Sequence, residues 1–198
     1  GYARNPELVI NFYNERRKQL LDVVPNAGHL GVADLERDFN VTVVTQNVDN
    51  LHERAGSTHV IHLHGELTKV CSSRDPYNPH FVKELAPEEY EVKLGDKAGD
   101  GTQLRPFIVW FGESVPEIET AIRYVEQADI FVIIGTSLNV YPAAGLLNYV
   151  PRAAEVYLID PKPVDTHVMR PIHVIQKGAS EGVKELKALL AATQPPLP

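Results

Sequence analysis

The sequence predicts an α/β fold, a parallel sheet covered by helices on both faces, with a smaller, loop-rich and helical module in addition. Three observations carry this. Short runs of β-branched residues alternate with helical patterns over most of the chain, as in units whose strands lie parallel. One run, Asp129 to Ile134, is continuously apolar, as a strand buried between two helical layers must be. Two further apolar segments, Val41 to Val44 and Val60 to Leu63, each run out into polar residues of the kind that do chemistry. Ligands bind just outside the carboxyl ends of parallel strands, so polar residues there weigh more than the same residues scattered over a surface.

The 198 residues suit one sizeable domain. A net charge of -7 argues against a nucleic-acid partner, because no basic stripe is available to neutralise a run of phosphates. No apolar run approaches the roughly 20 residues of a membrane span, and no signal peptide is visible. The lone Cys71 excludes an internal disulfide and a multi-cysteine zinc site, and a reducing cytoplasm is the expected setting.

Asn5 and Pro6 read as the N-cap and first position of a helix running to about Leu21, with Glu7 favourable to its dipole and Pro25 as a stop. Val9, Phe12, Tyr13 and Leu20 form its apolar stripe; Arg16 falls on that stripe, while Glu15, Arg17 and Lys18 face solvent. A cation on a buried stripe needs a partner. Either Arg16 pairs with a neighbouring element or snorkels, or Tyr13 and Arg16 together hold an anion. Asn26 caps a second helix with core contacts from Leu30, Val32, Leu35 and Phe39. Val41 to Gln46 is a strand, Leu51 to Gly56 a helical turn closed by glycine, and Val60 to Leu63 the next strand. Lys69 to Gln103, rich in proline, glycine and charge, reads as an inserted excursion outside the sheet. Arg105 to Phe111 restores a strand, and Pro116 opens a helix with Ile118, Ile122 and Val125 inward. After the strand ending at Gly135, Pro142 to Tyr149 is a short helix. Val156 to Ile159 and His173 to Ile175 are strands, and Ser180 caps a last helix to about Leu190.

Four strand ends collect small or polar groups: Gln46 to Asp49, His64-Gly65, Gly135-Thr136-Ser137, and Asp160. The glycine and two hydroxyls suit a phosphate or ribose, or form an ordinary tight turn. Asp160 can accept from a ribose or initiate a turn before Pro161. His62 and His64 share a strand face. They form either a metal-binding pair or a general base, His64, beside a structural His62.

Gln46-Asn47-Val48-Asp49, Leu51-His52, Ala55-Gly56, His64-Gly65, Trp110-Phe111-Gly112-Glu113 and Gly135-Thr136-Ser137, in this order, resemble the sirtuin family of NAD-dependent protein lysine deacylases. The set covers nearly the whole chain, and its spacing is most similar to the bacterial, class III branch. The resemblance implies a Rossmann-like sheet and NAD as cofactor. It implies that Tyr13 and Arg16 recognise acidic acyl groups such as succinyl and malonyl, alongside deacetylation. It further implies that Gln46, Asn47, Val48 and Asp49 position the nicotinamide and its ribose, with Asn47 and His64 catalytic and His64 as general base on a ribose hydroxyl. Gly135, Thr136 and Ser137 would hold phosphate and ribose, and Asp160 and Ala179 the adenosine. Val109, Trp110, Phe111, Gly112 and Glu113, facing Val140 in the Leu138 to Tyr141 loop, would take the acylated protein as an added strand. The products would be free lysine, nicotinamide and O-acyl-ADP-ribose.

The family's four zinc cysteines are represented by Cys71 alone, so no zinc is expected and the small module is remodelled. The resemblance also places a first strand, a Gly-Ala-Gly phosphate loop and a cofactor lid ahead of Gly1. The expected organisation is one catalytic domain over 1–198, its large part 26–68 and 105–198 and its small module 1–25 and 69–104. Two other functions fit parts of the pattern: a non-catalytic NAD- or ADP-ribose-binding module, and a metal-dependent hydrolase built on His62 and His64.

Overall fold

The computed structural model describes residues 1–136, 143–163 and 170–193. In chain order its first elements are α1 (Pro6–Leu20), α2 (Ala27–Asp34), β1 (Val43–Thr45), α3 (Leu51–Ala55) and β2 (Val60–His62). Next come β3 (Gly65–Ser72), β4 (Lys83–Glu84), β5 (Leu104–Ile108), α4 (Ile118–Val125) and β6 (Ile130–Ile134). The last are α5 (Ala143–Leu147), β7 (Glu155–Ile159), β8 (His173–Ile175) and α6 (Ala179–Thr193). Two compact units result: Gly1–Val24, Val44–Arg54 and Ile61–Pro116 form the first, and Pro25–Val43, Ala55–Val60 and Glu117–Pro198 the second.

The second unit has the parallel sheet, ordered β6-β7-β8. Its strands are the apolar runs, and β7 is buried along Val156, Tyr157, Leu158 and Ile159. Val183, Leu186 and Leu190 of α6 and Val32 of α2 pack with Tyr157, Ile159 and Ile175 as one core. Asn26 caps α2 reciprocally: its side chain accepts the His29 N–H at 3.0 Å, and its own N–H reaches His29 Nδ1 at 3.1 Å. Two sequence expectations change here. Leu30 lies exposed rather than in the core, and α6 opens at Ala179, so Ser180 lies inside the helix instead of capping it.

The first unit holds an antiparallel sheet, ordered β4-β3-β5. Lys69 to Gln103 is therefore not wholly an excursion outside the sheet, because β3 runs on to Ser72 as the longest strand among the described residues. The strand expected over Arg105 to Phe111 ends at Ile108 and pairs with β3 antiparallel, outside the parallel sheet. Cys71 is fully buried in β3, its S–H aimed at Pro106 O, and burial pushes the thiol up to about 11. Beside it, Ser72 Oγ donates to Asp100 Oδ2 and accepts the N–H groups of Arg74 and Asp75, tying two stretches of loop to the strand.

Helix α1 also differs from expectation. Asn5 does cap it, accepting the Leu8 N–H at 3.1 Å. Its buried face, however, is Ile10, Asn14 and Arg17, while Phe12 and Arg16 are exposed. Arg17 is buried because two backbone carbonyls and a side-chain amide receive it: Nε donates to Tyr90 O, Nη1 to Leu67 O and Nη2 to Asn14 Oδ1. Asn14 in turn pairs with both backbone groups of Val92, at 2.7 and 2.9 Å. Burial lowers Arg17 to about 10, so this cation is held by hydrogen bonds against a desolvation cost. β1 and β2 form a separate two-stranded ladder, with Val43 N–H bonded to His59 O and Leu63 N–H to Thr45 O.

Candidate functional site

In the first unit, β1 ends at Thr45 and the polar segment Gln46-Asn47-Val48-Asp49 follows. Thr45 Oγ1 accepts the Asn47 N–H at 3.0 Å, and His62 Nδ1 meets Asn47 O at 3.1 Å. With its backbone fixed on both sides, Asn47 presents its carboxamide from an exposed position. Val48 O accepts the Leu67 N–H at 2.7 Å, fastening the loop to β3. Asp49 Oδ1 accepts the Leu51 N–H at 3.0 Å and so starts α3. Gln46 is half-buried, and the neighbouring Asn50 Oδ1 is a buried acceptor with no hydrogen-bond partner.

His64 sits in the short turn between β2 and β3, half-buried. Gly65 follows with φ 89°, and a Cβ there would lie 2.1 Å from Phe107 O. Only glycine permits this approach, which draws β3 against β5. The same approach lets His64 O accept the Val109 N–H at 2.9 Å, so the histidine is bonded to the start of segment 109–113.

That segment turns tightly at Gly112, φ 85°, leaving Phe111 fully exposed. Glu113 accepts the Trp110 N–H at 2.7 Å and two Arg105 N–H groups at 3.1 Å each. Arg105, which is buried, also places its guanidinium 4.0 Å from the Trp110 ring centroid. Burial would raise the Glu113 pKa, but Arg105 and the Trp110 amide outweigh it and hold the carboxyl below its ordinary range. Trp110 Nε1–H then donates to the Tyr13 hydroxyl at 3.1 Å. Arg16, on the exposed side of α1, has its guanidinium 5.9 Å from the Phe12 ring. The structure thus joins Tyr13, Trp110, Glu113 and, through Val109, His64.

His62 is the other histidine of the pair, and it is buried. Its Nε2 lies 2.9 Å from Glu53 Oε2 and 3.8 Å from Glu66 Oε1. Burial alone would lower its pKa, yet the Glu53 carboxylate, Asn47 O and Glu66 carry it above the ordinary histidine value. Among the described residues, the potential metal-ligand atoms that lie together are those of Glu53, His62 and Glu66, a group that does not include His64.

The second unit carries the remaining candidates. Gly135 ends β6 with φ 64° and open space where a Cβ would project, and its N–H bonds to Ile159 O. Thr136 follows at an intermediate depth. Asp160 ends β7 and turns on itself, Oδ1 accepting the Lys162 N–H at 2.8 Å. Ala179 opens α6, where a Cβ on Gly28 would come within 3.1 Å of the alanine Cβ. Ser137 and Val140, with the Leu138 to Tyr141 stretch, lie outside the described residues.

Sequence reasoning missed Arg105 and the Glu53–His62–Glu66 group. A cation opening an apolar strand before Pro106 was the available signal for the first. The second has none in spacing, since its members come from α3, β2 and β3.

A model of the Sir2 family matches residues 1–142. The chain is 83% identical over 190 residues to an NAD-dependent protein deacylase of Bacteroides thetaiotaomicron, covering 96% of this chain and 81% of that one. It is 47% identical over 186 residues to an NAD-dependent protein deacylase of Helicobacter pylori, covering 94% and 79%. A Sir2 homologue solved in complex with NAD superimposes with TM-score 0.79 at 37% identity, over 98% of this chain and 75% of that chain. A Sir2–p53 peptide–NAD complex does so with TM-score 0.75 at 27% identity, over 97% and 81%.

Proposed function

The chain belongs to the Sir2 family, and on that premise we propose that it is an NAD-dependent protein lysine deacylase whose preferred acyl groups end in a carboxylate. The observation that carries the preference is the Trp110–Tyr13 hydrogen bond. An indole N–H only donates, so the Tyr13 oxygen accepts from it and keeps its own proton for another acceptor. Tyr13 offers that proton three residues from the exposed guanidinium of Arg16, which is one helical turn away. A phenol donor and a planar cation together suit the terminal carboxylate of a succinyl or malonyl group, while an acetyl group engages neither.

The residues present fit NAD. Gly135 leaves open space at the carboxyl end of a parallel strand, and Asn47 is exposed beside a buried acceptor, Asn50 Oδ1, that lacks a donor. When bound, NAD supplies an electrophilic ribose carbon and releases nicotinamide. Gln46, Asn47, Val48 and Asp49 orient the nicotinamide ribose, and the double anchoring of the Asn47 backbone keeps that carboxamide in place. His64 takes the proton from a ribose hydroxyl. Gly135, Thr136 and Ser137 hold phosphate and ribose, and Asp160 and Ala179 meet the adenosine. Residues 109–113 and Val140 receive the acylated protein by backbone pairing, with Trp110 and Glu113 braced by Arg105. A cytoplasmic setting suits the reduced, buried thiol of Cys71.

The test incubates the protein, in the longest form its gene encodes, with succinyl-lysine and acetyl-lysine peptides, with and without NAD, followed by mass spectrometry. The expected result is acyl loss only with NAD, faster for succinyl, with O-acyl-ADP-ribose formed. Acyl loss without NAD, or NAD binding with no turnover, would overturn the assignment.

A further inference from the structure

The environment of His62 poses a chemical problem that a bound cation solves. Its Nδ1 faces the carbonyl of Asn47, so in the neutral ring the proton sits on Nδ1 and Nε2 carries a lone pair. That lone pair points at Glu53 Oε2, 2.9 Å away, and at Glu66 Oε1, 3.8 Å away. These acceptors around a buried histidine need a positive charge among them, which a second ring proton on Nε2 supplies in the metal-free chain and a metal ion taking the place of that proton would supply instead. A ring nitrogen donating to a backbone carbonyl while the other nitrogen turns to carboxylates is also how metal-bound histidines are oriented.

We propose that Glu53, His62 and Glu66 form a binding site for a divalent transition-metal ion of the Zn²⁺ class. The three ligand atoms lie within 4.8 Å of one another. Ligands about 2.1 Å from a tetrahedral zinc stand about 3.4 Å apart, a spacing bracketed by the two distances to Nε2. The donor set, one imidazole and two carboxylates, suits zinc, nickel or cobalt better than the all-oxygen ions. Glu53 is partly exposed and gives the ion a route in, and a water would complete the fourth position. Lys69 Nζ already engages the other oxygen of Glu66 at 2.7 Å, so Glu66 offers only Oε1 and the site is weakened by a neighbouring cation. The site shares no residue with the acyl-recognition or ribose-binding assignments, but its histidine holds the Asn47 backbone.

The experiment is equilibrium dialysis of the full chain against Zn²⁺ at neutral pH with metal counted by mass spectrometry, and Co²⁺ substitution read as a visible absorption band. One ion per chain is expected, with at least tenfold weaker binding in Glu53→Gln, a substitution at a half-exposed helical position that leaves the core untouched. Lys69→Met should bind several-fold tighter, because it frees Glu66 Oε2. His62→Gln should also lose the ion, and its far-UV spectrum checks that it folds. No bound ion, or equal binding in Glu53→Gln and the unaltered protein, would overturn the site. Neither outcome bears on deacylation.

Discussion

Tyr13 has one proton to give, and its use is set by Trp110, whose own place is fixed by Arg105 and Glu113. Arg105 stacks on Trp110 and clamps Glu113, Trp110 donates to Tyr13, and the phenol proton is left for an anion. Charge-assisted hydrogen bonds are worth about 1.5–3 kcal/mol, so removing the Arg16 cation should matter only where an acyl carboxylate meets it. Arg16→Met is expected to lower kcat/KM for succinyl-lysine by roughly 10–100-fold and for acetyl-lysine by less than about threefold. Equal losses on both peptides would make Arg16 structural. Gly65 makes a sharper case, because both its φ of 89° and the 2.1 Å approach to Phe107 O forbid a side chain. Gly65→Ala should cost about 2–5 kcal/mol, the sum of backbone strain and overpacking, read as a lower urea midpoint. A loss within about 0.5 kcal/mol would mean that β3 and β5 separate easily there.

At the level of elements, the turn after β5 is the part whose response to acid can be worked out. Glu113 is held below its ordinary value of 4.5, so its pairing with Arg105 contributes fully above that pH and is lost as the pH falls through the lower folded-state value. The chain's single tryptophan, Trp110, sits in this turn and reports on it. Its emission should shift red below about pH 4.5, before the far-UV signal of the helices changes. Glu113→Gln, which cannot titrate, should lack that step; an unchanged step in the variant would assign it to another group. Elements were legible in sequence to the degree that burial made them uniformly apolar. β6 and β7 are neighbours in the parallel sheet, and continuous apolar runs marked them. β3 was hidden because its register shifts between Gly65 and Val70, which breaks the period-two alternation that would have disclosed it. The buried face of α1 was hidden for a different reason. Asn14 and Arg17 are buried against backbone carbonyls and amides of segment 90–92 and β3, and a search for apolar periodicity passes over polar residues. Of the candidate site, the residue types at strand ends were readable, whereas the clamp by Arg105 and the Glu53–His62–Glu66 group depend on folding alone.

Over the whole molecule, the sheet types are segregated: an antiparallel sheet with a core of Ile10, Val70 and Val92, and a parallel sheet with a core around Ile159, Val183 and Leu186. Each unit is assembled from segments that alternate along the chain, so sequence position is a poor guide to membership. The two cores can be loaded separately. Gly182 lies on the buried face of α6, where a Cβ would fall 2.2 Å from Ile159 Cγ2. Ile159 is almost wholly buried in a central strand and has little room to yield. Overpacking of this kind costs about 1–3 kcal/mol, against a few tenths gained when valine replaces glycine in a helix, so destabilisation wins. In Gly182→Val, amides of β7 should lose hydrogen-exchange protection while those of β3 keep theirs. The urea midpoint followed by far-UV circular dichroism should fall further than the midpoint followed by Trp110 fluorescence, which reports only on the antiparallel unit. Separate cores make separate stabilities, and non-coincident transitions are their signature. If both probes and both strands respond equally, the units unfold as one cooperative body and the segregation of cores has no thermodynamic counterpart.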